Sequence, residues 1–171
     1  VIPLPKPLGT GDFTLWRLDE ARFAAAWETG EGSFRAGGRW NSKGVRAVYA
    51  ALDPATAILE VAVHKTFAVL DTVPHILTTA RITDPTVIHI VRPNDILNPD
   101  WFVPGIAGSG QQAFGDALLQ KYPFVLIPST VSQNSWNIIF DHALAKDSYD
   151  GVSQELFALD TRLNPSRRPS W

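Results

Sequence analysis

Arg46-Ala47-Val48-Tyr49-Ala50-Ala51-Leu52-Asp53-Pro54-Ala55-Thr56-Ala57-Ile58-Leu59-Glu60 changes its character once, at Asp53-Pro54. Arg46–Leu52 is small, apolar and aromatic, the pattern of a buried strand. Asp53 is then a good N-cap, and Pro54 suits the first helical position, where its missing N–H costs nothing. From Ala55 to Lys65, the residues Ile58, Val61, Ala62 and Lys65 recur at helical spacing. A strand therefore runs directly into a capped helix.

The flanking sequence repeats this mixture in short pieces. Phe13–Leu18 reads as a first strand, and Ile76–Ile82 and Thr86–Val91 as two more with an Asp-Pro turn between them. Residues 92–108 are rich in turn formers, and Gln111–Lys121 reads as a second helix. Phe124–Ile127, Trp136–Phe140 and Glu155–Leu159 are further strand candidates. Short strands mixed with two or three helices indicate an α+β fold. Residues 1–11, rich in Pro and Gly, read as an extended N-terminal arm, with one domain over 12–171. Gly30 to Gly44 holds five glycines and reads as one long loop, a feature that compact domains usually keep for function.

Composition removes several classes of function. Hydrophobic residues at 45% and charged residues at 19% are ordinary globular values, and a net charge of −2 argues against a nucleic-acid coat or a membrane-surface binder. With no cysteine there is no disulfide, thiolate metal site or cysteine nucleophile. Apolar runs such as Phe124–Pro128 are far shorter than the roughly 20 residues a spanning helix needs. Val1-Ile2-Pro3-Leu4-Pro5 does not read as a signal peptide. The expected compartment is the cytoplasm.

The chemistry-bearing candidates begin with Gly37-Gly38-Arg39-Trp40-Asn41-Ser42-Lys43-Gly44. Glycine lets a backbone approach a ligand and leaves its N–H groups free, while the planar Arg39 guanidinium suits a diphosphate. A turn with a solvated Arg and a packed Trp is the plainer alternative. Tyr49 sits in an apolar strand, where a tyrosine is usually structural. Glu60 stands among Ile58, Leu59, Val61, Ala62 and Val63, on a helical stripe with Thr56 and His64. Two readings stay open for it: an exposed face with a weak Glu–His pair, or a partly buried carboxylate facing a cleft. Ser129 follows a strand and is placed to bond a ligand, though turn serines are common. Ser129, Asp141 and His142 do not make a convincing hydrolase triad, because no Gly-x-Ser-x-Gly elbow is present. The remaining histidines, His64, His75 and His89, lack metal-ligand spacing, so no metal site is expected.

Taken in order, these pieces resemble the RES family of bacterial toxins, named for its arginine, glutamate and serine. The resemblance rests on Trp16-Arg17, Gly-Gly-Arg-Trp-Asn at 37–41, Tyr49-Ala50, and Ala57-Ile58-Leu59-Glu60-Val61-Ala62-Val63-His64. Pro128-Ser129, Asn137 and Asp160-Thr161-Arg162-Leu163 complete it, so that it covers residues 12 to 164. It implies an ADP-ribosyltransferase-like α+β fold and a toxin that depletes NAD⁺ by phosphorolysis or hydrolysis. Some members of the family instead ADP-ribosylate a protein. The implied partner is an Xre-like helix-turn-helix antitoxin, with a homodimer inside the complex. By motif position, Arg17, Arg39, Tyr49, Glu60 and Ser129 match the family's functional residues, with Gly38 and Asn137 beside the substrate. Phe140-Asp141-His142 stands where the family often has Asn-Pro, which is a departure from its pattern.

The chemistry suits those residue types. Breaking a nicotinamide–ribose bond develops oxocarbenium character at the anomeric carbon, which a carboxylate such as Glu60 stabilises. Arg39 and Arg17 would hold the diphosphate, Tyr49 would stack on nicotinamide or ribose, and Ser129 would orient the substrate. No cofactor beyond NAD⁺ as substrate is expected, since nicotinamide leaves as a neutral base. Two rivals accompany this reading. One is a protein ADP-ribosyltransferase that uses the same site; the other is a non-catalytic ligand-binding module with tryptophans lining a groove.

Overall fold

The computed structural model describes residues 13–105 and 107–167. The expected N-terminal arm lies outside those residues. The chain builds β1 (Phe13–Glu20), a 3₁₀ segment (Ala21–Ala26), α1 (Glu31–Ala36), β2 (Val48–Ala51) and α2 (Pro54–Thr72). It continues through β3 (His75–Ile82), β4 (Ile88–Ile90), α3 (Ser109–Leu119), β5 (Phe124–Pro128), β6 (Trp136–Phe140), α4 (His142–Ala145) and β7 (Tyr149–Phe157). One seven-stranded sheet has the order β4-β5-β6-β2-β1-β3-β7, and only β4 and β5 run parallel. This is an α+β architecture in a single domain.

Strand alternation divides the core between the two faces of the sheet. Phe13, Leu15, Val48, Ala50, Ile138 and Phe140 meet on one face. The other face carries two separate clusters. Trp40, Val125, Ile127 and Ile139 form the first, against which Phe114 and Leu118 of α3 pack. Leu18 and Leu77 meet Ala62 and Leu70 of α2 in the second. The valley between these clusters positions the site.

The Asp53-Pro54 boundary forms as its sequence dictates: the Asp53 carboxylate accepts the Thr56 N–H at 2.8 Å, and Pro54 opens α2. The helix runs beyond Lys65 to Thr72, but only across a break at Thr66, where φ is 65° and ψ is 155°. The expected loop from Gly30 to Gly44 contains the six-residue α1. Gly30 (φ 61°) and Gly37 (φ 75°) sit just outside its two ends rather than interrupting it. The last strand begins at Tyr149, well before Glu155, and is exposed along most of its length. Among the described residues, no helix is long and apolar enough to cross a membrane.

Candidate active site

The sheet opens at its centre. β1 pairs with β3 through eight consecutive residues but meets β2 only at Trp16–Ala51. Past that point the strands part, and Arg17 fills the gap by donating from Nη1 to the Tyr49 carbonyl at 2.6 Å. The other edge of its guanidinium faces Asp19, with Nη2 2.7 Å from Oδ1 and Nε 2.6 Å from Oδ2. Arg17 therefore replaces missing ladder bonds and carries its own counter-ion. A cleft of about 980 Å³ occupies the opening, lined in part by Arg17, Gly38, Arg39, Tyr49, Glu60 and Asn137. A smaller hollow of about 410 Å³, between Ile96 and Phe114, gathers no comparable set of polar groups.

Glu60, on the second turn of α2, is half-buried and faces the ends of β5 and β6. Its Oε1 accepts from Ser129 Oγ at 2.8 Å and from Asn137 Nδ2 at 2.5 Å. Ser129 is fully buried, and its Oγ accepts the N–H groups of Val131 and Ser132 at 3.1 and 3.0 Å. Those two donors orient the hydroxyl so that its single proton goes to Glu60. Among the described residues none bonds Glu60 Oε2. Asn137 is 8% exposed, and its Oδ1 is buried without a partner among the described residues. An acceptor left over beside the carboxylate suits a ligand N–H or O–H. Of the two readings of Glu60, the cleft-facing carboxylate is the one that forms; His64 is exposed.

The glycine loop is braced from beneath. The Tyr49 hydroxyl donates to Asn41 Oδ1 at 2.7 Å and accepts the Trp40 N–H at 3.0 Å. Asn41 is wholly buried, and its Nδ2 spans the carbonyls of Ser33, Ser42 and Val45. A Cβ on Gly38 would stand 2.5 Å from the Tyr49 hydroxyl, so glycine is required for this close approach. Burial pushes the Tyr49 phenol well above its ordinary pKa, and the nearby Asp116 and Glu60 carboxylates act in the same direction. Arg39 reaches across the cleft mouth, donating from Nη1 to the carbonyls of Trp101 and Val103 at 2.9 and 3.2 Å.

Four of the sequence candidates, Tyr49, Glu60, Ser129 and Asn137, thus belong to two adjoining hydrogen-bonded groups, and Gly38, Arg17 and Arg39 line the same cleft. Ser129 does not line it, because it is fully buried with its hydroxyl committed to Glu60, so it positions Glu60 instead of bonding a ligand as expected. His142 lies elsewhere, with Nδ1 2.9 Å from the Tyr149 hydroxyl. His89 stacks on Tyr122. Asn41, Asp19 and Gln112 were not singled out individually from the sequence. Asn41 lies inside the glycine motif, whereas Gln112, which donates to the Gly38 carbonyl at 2.9 Å, gives no sequence signal because that contact spans 74 positions. Among the described residues, no group of three His, Asp or Glu side chains could hold a metal ion.

The model of the RES domain matches residues 14–160, a span that contains both halves of the cleft. The chain belongs to the RES domain family. It is 33% identical over 154 residues to a Pseudomonas putida protein named Toxin Res, covering 87% of this chain and 98% of that one. The fold is also that of a chain in the crystal structure of the M. tuberculosis MbcT–MbcA toxin–antitoxin complex. The TM-score is 0.67, with 20% identity, over 91% of this chain and 94% of the other.

Proposed function

We propose that this RES protein is the toxin of a toxin–antitoxin pair and that it consumes NAD⁺. The observation that carries the chemistry is the carboxylate of Glu60, held in an open cleft by Ser129 and Asn137 through one oxygen. The bond that breaks joins nicotinamide N1 to ribose C1′. Its electron pair leaves with nicotinamide, which becomes neutral, and positive charge develops on the ribose. Glu60 stabilises that charge, and its two hydrogen bonds fix the carboxylate before the reaction begins. Water or phosphate then adds to C1′; in the hydrolytic case the added water loses a proton. Arg39 supplies the positive charge for the diphosphate, whereas Arg17, already paired with Asp19 and bonded to the Tyr49 carbonyl, holds the wall of the cleft open. Gly38 lets the backbone come close, and Tyr49 supports the loop. Asn137 Oδ1 receives a donor from the substrate.

The toxin reading is supported by the family match, the name of the P. putida relative and the fold shared with a toxin–antitoxin complex. From it follow an Xre-like antitoxin, a homodimer within the complex, and a cytoplasmic place of action. The decisive experiment incubates the purified protein with NAD⁺, with and without phosphate, and identifies the products by mass spectrometry. With phosphate present nicotinamide should appear for either acceptor, beside ADP-ribose or its phosphate ester; without phosphate it should appear only if water is the acceptor. Label appearing on a protein would move the reading to protein ADP-ribosylation. Intact NAD⁺ in the presence of folded protein would leave only a binding module.

A further inference from the structure

One end of the cleft is not used by this chemistry. There Glu20, the last residue of β1, binds Lys65 Nζ of α2 through Oε1 and Arg22 Nε at 2.7 Å through Oε2. The Arg22 guanidinium lies 4.6 Å from the centre of the Phe23 ring, which is nevertheless 49% exposed. Opposite Glu20 on the neighbouring strand is His75, which is 1% exposed. Its Nδ1 lies 2.6 Å from the Val73 carbonyl, so the ring proton belongs on that nitrogen. Nε2 is then an acceptor, buried with no partner among the described residues. Glu20, Phe23, Lys65 and His75 all line the cleft.

We infer that this end of the cleft, formed by Glu20, Phe23, Lys65 and His75, is a subsite for a 6-aminopurine base, and hence holds the adenine of the dinucleotide. This rests on the NAD⁺ reading above. An aminopurine presents an amine donor next to a ring-nitrogen acceptor. Glu20 and Lys65 offer the complementary pair, and the unsatisfied His75 Nε2 can accept the amine's second hydrogen. Phe23 supplies an aromatic face, which stacks on bases generally. A phosphate fits less well, because Lys65 and Arg22 already share one carboxylate and an anion would have to displace it. The geometry also suits the rest of the substrate. Trp16 and Glu20, which line the same cleft as Glu60, are four residues apart on β1, about 13 Å at the rise of a strand.

The test measures binding of AMP and of inosine monophosphate, which has an oxygen in place of the amine, by isothermal titration to the whole protein. AMP should bind about tenfold more tightly, the scale of one hydrogen bond to a charged group. Glu20→Gln should shrink that ratio, and Phe23→Ala should weaken both ligands together. Circular dichroism verifies that each variant is folded. Equal affinity for the two nucleotides in the wild type, or an unchanged ratio in folded Glu20→Gln, overturns the subsite. Inorganic phosphate that displaces AMP without base discrimination overturns it as well, and marks an anion site. Discrimination without nicotinamide release from NAD⁺ supports the base subsite while defeating the cleavage reading. Release without discrimination does the reverse.

Discussion

The carboxylate of Glu60 stands half-buried at the cleft, whereas the phenol of Tyr49 is held beneath the glycine loop, where burial dominates its chemistry. Glu60 is held as a hydrogen-bond acceptor, so removing its charge while keeping its shape isolates the electrostatic contribution. Glu60→Gln should leave the fold and NAD⁺ affinity near normal and lower nicotinamide release about 10²-fold or more, the scale of one lost transition-state contact. Turnover close to wild type in a steady-state assay would remove Glu60 from the chemistry. Tyr49 is different because burial favours its neutral form. Its folded pKa is raised above the ordinary value of 10.0, so its contribution to stability is complete below about pH 10 and is lost as pH rises further. Above that point the unfolded chain gives up a proton that the native state retains. Stability should therefore fall by up to about 1.4 kcal/mol per pH unit on this account. Urea titrations at pH 9, 10 and 11 measure the slope; a flat profile would contradict the burial of the phenol. Glu60 was legible in sequence because a charge among Ile58–Val63 breaks the apolar pattern. The support of Tyr49 by Asn41 was not legible, since a buried asparagine and a surface one are spelled alike.

Elements were readable where a local signal marks their ends. Asp53-Pro54 fixes the start of α2 through a side-chain cap that needs no tertiary contact. α1 was hidden because five glycines suggest a loop. The six residues between Gly30 and Gly37 form a helix nonetheless, with Glu31 pairing Arg35 within it and Arg46 outside it. β7 was hidden in its first half because Asp150-Gly151-Val152-Ser153 is exposed and carries no apolar alternation. Its pairing with β3 comes from the neighbouring strand rather than from its own pattern. Thr66 is the element-scale anomaly: a β-branched residue at φ 65° and ψ 155°, a region that essentially only glycine occupies freely. The break separates the segment bearing Glu60 and Lys65 from the segment that packs through Leu70. Thr66→Gly should relieve that strain and raise stability by about 1 kcal/mol, less than the full strain because glycine loses more entropy on folding. Thermal denaturation measures it. A fall in stability would mean that the Thr66 side chain contributes more than its backbone costs.

For the whole molecule, the opening between β1 and β2 is what turns a continuous sheet into a container. Eight pairs to β3 hold β1 on one side, and a single pair joins it to β2 on the other. The two clusters beneath α2 and α3 can thus remain rigid while the valley between them stays accessible. Nothing in a strand's own sequence states where its ladder will stop, so the sequence offered a cleft only as one of two readings of Glu60 and did not place it between β1 and β2. An open cleft around Glu60 also shapes how such a protein must be controlled. If it consumes NAD⁺, uninhibited protein harms the cell that makes it, and a partner that covers the cleft is the simplest silencer. Arg39 at the mouth, with the exposed Lys43 four positions along the same loop, gives that partner positive charge to recognise, favouring an acidic segment. Expressed alone in a bacterial host, the chain should arrest growth and lower cellular NAD⁺. Glu60→Gln should do neither at equal soluble level, and co-expression of the adjacent gene should restore both. Growth curves and an enzymatic NAD⁺ assay on the same cultures measure this. Unchanged growth and NAD⁺ with abundant folded wild-type protein would refute the toxin reading. Growth arrest that persists in Glu60→Gln would show that toxicity does not pass through the cleft.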